Sequence, residues 1–123
     1  MSRIAVLYFL LACSAAPATA QQPAATPDGR WGAIAYGAPD QSAAWAVNYW
    51  NADEARQAAL QQCPACTRTI TFVRGCAAVA ESPRGAVGFS QTRWRERVIA
   101  RALELCGRDA PDCQIVAVAC TIH

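Results

Sequence analysis

The chain has 123 residues, 54% of them hydrophobic and 16% charged, with seven cysteines and a formal net charge of +2. This suits one domain around one core, is too apolar for a disordered chain, and supplies no general pull toward nucleic acid or an anionic membrane. Lysine is absent, which removes Schiff-base and lysine-activated chemistry; the one histidine, His123, closes the sequence, where fraying makes it a poor general base.

Residues 1–20, MSRIAVLYFLLACSAAPATA, start basic at Arg3, run apolar from Ile4 to Ala12 and end on Ala18-Thr19-Ala20. This is the pattern of a secretory signal peptide, and its apolar run is far shorter than the roughly 20 residues of a spanning helix. Within it, Leu10-Leu11-Ala12-Cys13 resembles a lipobox, so a lipoprotein anchored through Cys13 stands beside the favoured outcome, cleavage after Ala20 and release to the periplasm or the medium. Residues 21–29, QQPAATPDG, lack large apolar side chains and read as a flexible leader to a single domain over 30–123.

Trp31 to Tyr36 predicts a strand and Ala44 to Tyr49 a second, with turn residues between Gly37 and Ser42. Asn51 with Glu54 three residues on is a capping box, and Ala55, Ala58, Ala59 and Leu60 keep helical spacing until Pro64 ends the helix near Cys63. Thr67 to Val73 alternates as a strand with one wet face. Ala77 to Ala80, a turn at Ser82 to Gly85, and Ala86 to Phe89 repeat the strand pair. A second helix is expected from about Thr92 to Cys106 with Gly107 as its C-terminal cap, and Cys113 to Cys120, almost continuously apolar, as a closing central strand.

Both helices end on Ala-Leu-x-x-Cys or Ala-Leu-x-Leu-Cys, and each is followed by a second cysteine that opens the next strand. Two tandem strand-strand-helix-strand units are the simplest description. The expected fold is α+β: a two-layer domain whose antiparallel-rich sheet is covered by two helices and stapled by disulfides. Over residues 31–120 the chain resembles the bacterial secreted domains called domain of unknown function 4189, in Trp31-Gly32-Ala33-Ile34-Ala35-Tyr36, the Ala-Leu-x-x-Cys helix ends, Cys76-Ala77-Ala78-Val79-Ala80 and the closing cysteine strand. The resemblance implies an exported bacterial protein and carries no catalytic residues to transfer. The arginine-rich second helix and the tight Cys63-Pro64-Ala65-Cys66 connection depart from the family's pattern.

Cys63, Cys66, Cys76, Cys106, Cys113 and Cys120 remain once Cys13 is removed or acylated, an even set that fits three disulfides in an oxidising compartment. The duplication, and that alone, suggests Cys63 with Cys66 and Cys106 with Cys113, which leaves Cys76 with Cys120 to join the two halves. The alternative for the C-x-x-C is a thiol–disulfide oxidoreductase. There the attacking cysteine needs a helix N-terminus to lower its pKa, whereas Cys63 stands at a C-terminus. No matching second pair supports zinc, and no metal or cofactor is expected.

Trp31, Trp45, Trp50, Trp94, Tyr36, Tyr49, Phe72 and Phe89 are expected mainly as filling for a core of alanine strands, with Trp50 and Trp94, at the helix entrances, as surface contacts. Arg93, Arg97 and Arg101, at i, i+4 and i+8, form a basic stripe on the second helix with Arg95 beside it, either a solvated face offset by Glu96 and Glu104 or an anchor for an acidic protein. Ser42, Ser82 and Ser90 lack an internal histidine, and nothing in the sequence brings Asp40 to Glu81 or gives Asp53 and Glu54 a cleft. The expectation is an exported, non-catalytic protein-binding domain. Its partner would be a toxin it inhibits or a host target, met through Arg93, Arg97, Arg101, Trp50 and Trp94; nucleic acid is not a partner, and a membrane only if Cys13 is lipidated.

Overall fold

The computed structural model describes residues 24–122; the signal peptide expected at 1–20 with Cys13, the start of the leader and His123 lie outside them. The elements are β1 (Trp31–Tyr36), β2 (Ala44–Tyr49), α1 (Ala52–Gln62), β3 (Arg68–Val73), β4 (Cys76–Glu81), β5 (Val87–Thr92), α2 (Arg95–Gly107) and β6 (Gln114–Cys120). They form the α+β duplication that the sequence predicts. Each strand-strand-helix-strand unit builds its own antiparallel sheet, ordered β2-β1-β3 in the first and β5-β4-β6 in the second.

Strand parity decides how the units meet. Ala33 and Ala35 of β1 face Ala55, Ala58 and Ala59 of α1, whereas Ile34 and Tyr36, with Phe72 of β3, face Ala77 and Val79 of β4 and Ala117 and Ala119 of β6. On the outer side of the second sheet, Ala78 and Ala80 meet Val98, Ala102 and Cys106 of α2. Two helix-on-sheet units are therefore stacked sheet to sheet, in the order α1, first sheet, second sheet, α2. Such stacking buries both faces of a strand, which is why β4 is buried at all six positions.

This corrects the place of the closing strand. β6 is an edge of its sheet, and β1 and β4 are the central strands. Its near-continuous apolar run has another cause: one face lies under α2 and the other against the first sheet. A bulge between Val79 and Ala80 in the β4–β6 register adds a residue to β6, so Val116 and Ala117 both serve the inter-sheet core.

Gly32 and Gly88 mark a close approach in each of the two units. A Cβ on Gly32 would lie 2.3 Å from the tip of the Phe72 ring, its partner in the β1–β3 ladder, so the ring lies across the bare backbone. A Cβ on Gly88 would meet the Ala102 carbonyl oxygen at 2.2 Å and the Cys106 nitrogen at 2.4 Å, so β5 touches α2 backbone to backbone.

Helix α1 starts as predicted, with Asn51 Oδ1 accepting the Glu54 N–H at 2.9 Å, and stops at Cys63. Helix α2 starts later than expected. β5 continues to Thr92, opposite Cys76, and the ladder claims residues whose polar character gave no strand signal. Gly107 is the last helical residue, and Arg108, in right-handed geometry, is the cap. Folded contacts also begin before Arg30: the Thr26 N–H donates to the Asn48 carbonyl at 2.8 Å, and Gly29 is buried against Asn48. Asn48 itself has φ of 68° at a bulge in β2, and its Oδ1 accepts the Ile122 N–H, tying both ends of the described chain to one turn.

Candidate functional site

The three disulfides are those the duplication suggests: Cys63–Cys66, Cys106–Cys113 and Cys76–Cys120. One expectation about them is overturned. Cys76 and Cys120 are direct partners in the β4–β6 ladder, so their bridge lies wholly within the second unit and does not join the halves. In the first unit the corresponding ladder pair is Trp31 and Val73. Cys63 caps the C-terminus of α1, its own N–H donating to the Leu60 carbonyl, and both Cys63 and Cys66 are buried. Their neighbour is Ser42, whose hydroxyl stands 3.8 Å from Cys63 Sγ.

The β4–β5 and β1–β2 loops meet at one end of the stacked sheets. They form a cleft of about 400 Å³ lined by Tyr36, Asp40, Arg68, Glu81 and Val87 among others. The fold thus brings together Asp40 and Glu81, which no sequence signal linked. Glu81, only 6% exposed, accepts the Gly37 N–H on Oε1 at 3.0 Å, a bond between the two units across the turn where Gly37 has φ of 86°. Asp40 accepts from both the amide and the hydroxyl of Ser42, and these bonds hold its carboxyl below the usual carboxylate range, the hydroxyl contributing most. Asp53 and Glu54 stay apart from this cleft on the first turn of α1, where Asp53 pairs with Arg56 at 2.6 Å.

Beside the cleft, the Ser82 hydroxyl donates to Asp112, and Arg84 stands 3.5 Å from the same carboxylate. The hydroxyl chiefly, then the Asp112 amide and Arg84, hold Asp112 below the usual range against the opposing effect of burial. A depressed folded pKa stabilises the fold above the unfolded value, and that contribution is lost as pH falls through the folded value. Ser82→Ala should therefore lower stability most at neutral pH, and the deficit should shrink toward about pH 2, as urea unfolding at both pH values would show. A deficit independent of pH would exclude Asp112 as its cause.

At the opposite end, β2 and β5 deliver their chains to Trp50 and Trp94. Trp50 stands just before Asn51, the cap of α1, whereas Trp94 is itself the cap of α2, and the two are 59% and 57% exposed. Trp45 and Phe89 are an equivalent pair in the two repeats, opposite Ile34 and Val79 in their ladders, and both are 49% exposed. The expectation that rings fill the core holds for Tyr36, Tyr49 and Phe72, and Trp31 packs partly buried against the α1 core; Trp45 and Phe89 are corrected to the surface. The core closes without them because the layers approach on alanine: fifteen of the 25 buried apolar residues among those described are alanine.

The basic stripe is shorter than expected. Arg93 precedes α2, so only Arg97 and Arg101 share a helical face, and Arg101 is paired with Glu104 at 2.9 Å. Of the arginines with no acid partner among the described residues, Arg68 lines the cleft, Arg93, Arg95 and Arg97 neighbour Trp94 in sequence, and Arg30 and Arg74 line a hollow with Asp28, Trp31 and Trp50. Sequence reasoning missed Arg30 and Arg74, because only the β1–β3 ladder and the neighbouring turn bring them to Trp50.

The family model described as a domain of unknown function, DUF4189, matches residues 31–120. The NMR structure of Rv1813c from Mycobacterium tuberculosis is similar in fold, at 28% sequence identity over 79% of this chain and 79% of that chain, with a TM-score of 0.56. No curated protein matches the chain.

Proposed function

We propose that this chain, which belongs to the DUF4189 family, is an exported, non-catalytic domain that binds an acidic face of another protein through its Trp50 and Trp94 end. The observation that carries the reading is a contrast between two copies of one feature. The α1 entrance obeys the rules of helix initiation, with Asn51 as cap and Asp53 and Glu54 in the first turn. The α2 entrance breaks them. Trp94 is its N-cap without a side-chain cap bond, and Arg95 and Arg97 place two positive charges on the positive end of the helix dipole against the single acid Glu96. Local rules that a second copy obeys are most often broken where function asks for it, and exposed tryptophan and arginine are the residue types that anchor protein interfaces.

Three disulfides suit the oxidising compartment that the signal sequence implies. Recognition by a rigid, stapled surface fits either an envelope-directed toxin that this domain would inhibit or a host protein. The thiol–disulfide alternative is weaker on two physical grounds: Cys63 sits at the carbonyl end of α1, and both residues of the pair are buried.

The test is affinity capture from periplasm and culture medium with the folded mature protein, followed by titration of the captured partner. Trp50→Ser with Trp94→Ser, and separately Arg93→Glu with Arg97→Glu, should each weaken binding by about 30-fold or more, while thermal stability changes little. A partner held equally by all three proteins would overturn the assignment of this surface.

A further inference from the structure

The cleft at the other end of the molecule makes a separate demand. Glu81 is a residue only 6% exposed, and its Oε1 accepts from a neutral amide, the Gly37 N–H. Among the described residues no arginine lies within ion-pair distance of it, although Arg68 lines the same cleft. A side-chain carboxyl held by a neutral donor alone keeps its capacity for charge pairing open to a cation that enters the cleft. Asp40, kept ionised by Ser42, adds a second carboxylate on the opposite lip, and two carboxylates outweigh the one guanidinium. Walls of Tyr36, Ala38, Pro83 and Val87 lower the local dielectric and focus that negative field.

We propose that this cleft binds a primary ammonium group, with Glu81 as its charge partner, Asp40 as the second anion and the Tyr36 ring and apolar walls receiving the attached alkyl stem. The space, about 400 Å³, takes a small amine or one side chain. A metal ion fits less well: no group of three or more ligating side chains that could hold one occurs among the described residues. The chain has no lysine to occupy the site itself. The same chemistry can come from a free alkylamine or from a lysine side chain offered by another protein.

The experiment is an NMR titration of the folded, oxidised protein with butylammonium chloride, with 1-butanol as the neutral isostere, and with N-acetyl-lysine methylamide as a lysine side chain carried on a peptide backbone. Butylammonium should give saturable shifts at the Gly37, Gly85 and Val87 amides with a Kd on the order of 1–10 mM, and butanol should not. Glu81→Gln retains the oxygen that accepts the Gly37 N–H and removes the charge, and should weaken binding at least about tenfold; Asp40→Asn, at the exposed lip, should weaken it less and serves if Glu81→Gln does not fold. Binding of the lysine amide as tightly as butylammonium would assign the site to a protein side chain, and binding of butylammonium alone to free amines; both support the site. Equal binding of butanol, unaltered binding in the charge-removing variants, or no saturable shift at all would overturn it.

Discussion

Gly88→Ala is expected to destabilise the domain by at least about 3 kcal/mol, a large part of the roughly 5–10 kcal/mol that holds a domain of this size. The new methyl would sit 2.2 Å from the Ala102 carbonyl oxygen, 2.4 Å from the Cys106 nitrogen and 3.0 Å from Cys106 Cβ. All three are backbone or Cβ atoms in the C-terminal half of α2, so no flexible side-chain end can swing aside. Relief requires the helix to lift from β5 and β4, which opens the Ala78, Ala80, Val98 and Ala102 contact and disturbs Cys106, where the second staple is anchored. The repeat contains its own comparison. The position opposite Ala35, which corresponds to Gly88 opposite Ala80, is Ala44, so the first unit accommodates a methyl where the second has closed down to bare backbone. Gly107→Ala is the control: its methyl meets nothing within 4 Å, and alanine at the helix end should raise stability by about 0.5–1 kcal/mol. Urea denaturation of the two variants beside the parent would check both signs, and a Gly88→Ala protein as stable as the parent would show that α2 floats on its sheet.

Removing the Cys76–Cys120 bridge is expected to cost about 4 kcal/mol and removing Cys63–Cys66 about 2, because the closed loops span 44 and 3 residues and the entropy withheld from the unfolded chain grows with the logarithm of the loop. The long bridge fastens β6, an edge strand, to β4, the centre of its sheet. Without it β6 keeps its ladder bonds but loses the tether that makes its pairing local. The first unit holds its corresponding pair, Trp31 opposite Val73, in its ladder without a covalent bridge, so the loss should weaken the second sheet without dissolving the design. Cys76→Ala with Cys120→Ala, and Cys63→Ala with Cys66→Ala, compared by urea midpoint and slope, give the measurement. Equal losses, or the reverse order, would mean that native packing and not unfolded-chain entropy sets the value of these bridges.

The tightness of the Cys63–Cys66 connection has its explanation in the other copy. The longer link from Cys106 to Cys113 carries Asp112, which receives the Ser82 hydroxyl and pins the β4–β5 loop. In the first unit, Ser42 of the β1–β2 loop binds Asp40 of its own turn and lies against Cys63, so no acid from the connection is needed. The extra residues serve a loop contact rather than the staple.

How far the chain could be read depends on whether a signal is local. The duplication, the Asn51 cap, the stop before Pro64, all three cysteine pairs and the exposure of Trp50 and Trp94 follow from residues close in sequence or from the repetition itself, so they were legible in the residues alone. The β5 extension to Thr92 was not, because Ser90, Gln91 and Thr92 are strand only by virtue of pairing with β4. The alternation that separates edge from centre also fails in this architecture. A helix on one side and a second sheet on the other bury both faces of a strand, so β6 carries a central strand's apolar run at an edge. Asp40 and Glu81 are 41 residues apart in the chain and belong to different units; only the stacking of one sheet on the other places both carboxylates on one cleft. Residue order by itself determined the units, their staples and their aromatic corners, since helix caps, turns and short loops are set by neighbours. The tertiary structure alone decided how the units face each other, because that rests on which side of each strand is small enough to let the other layer approach.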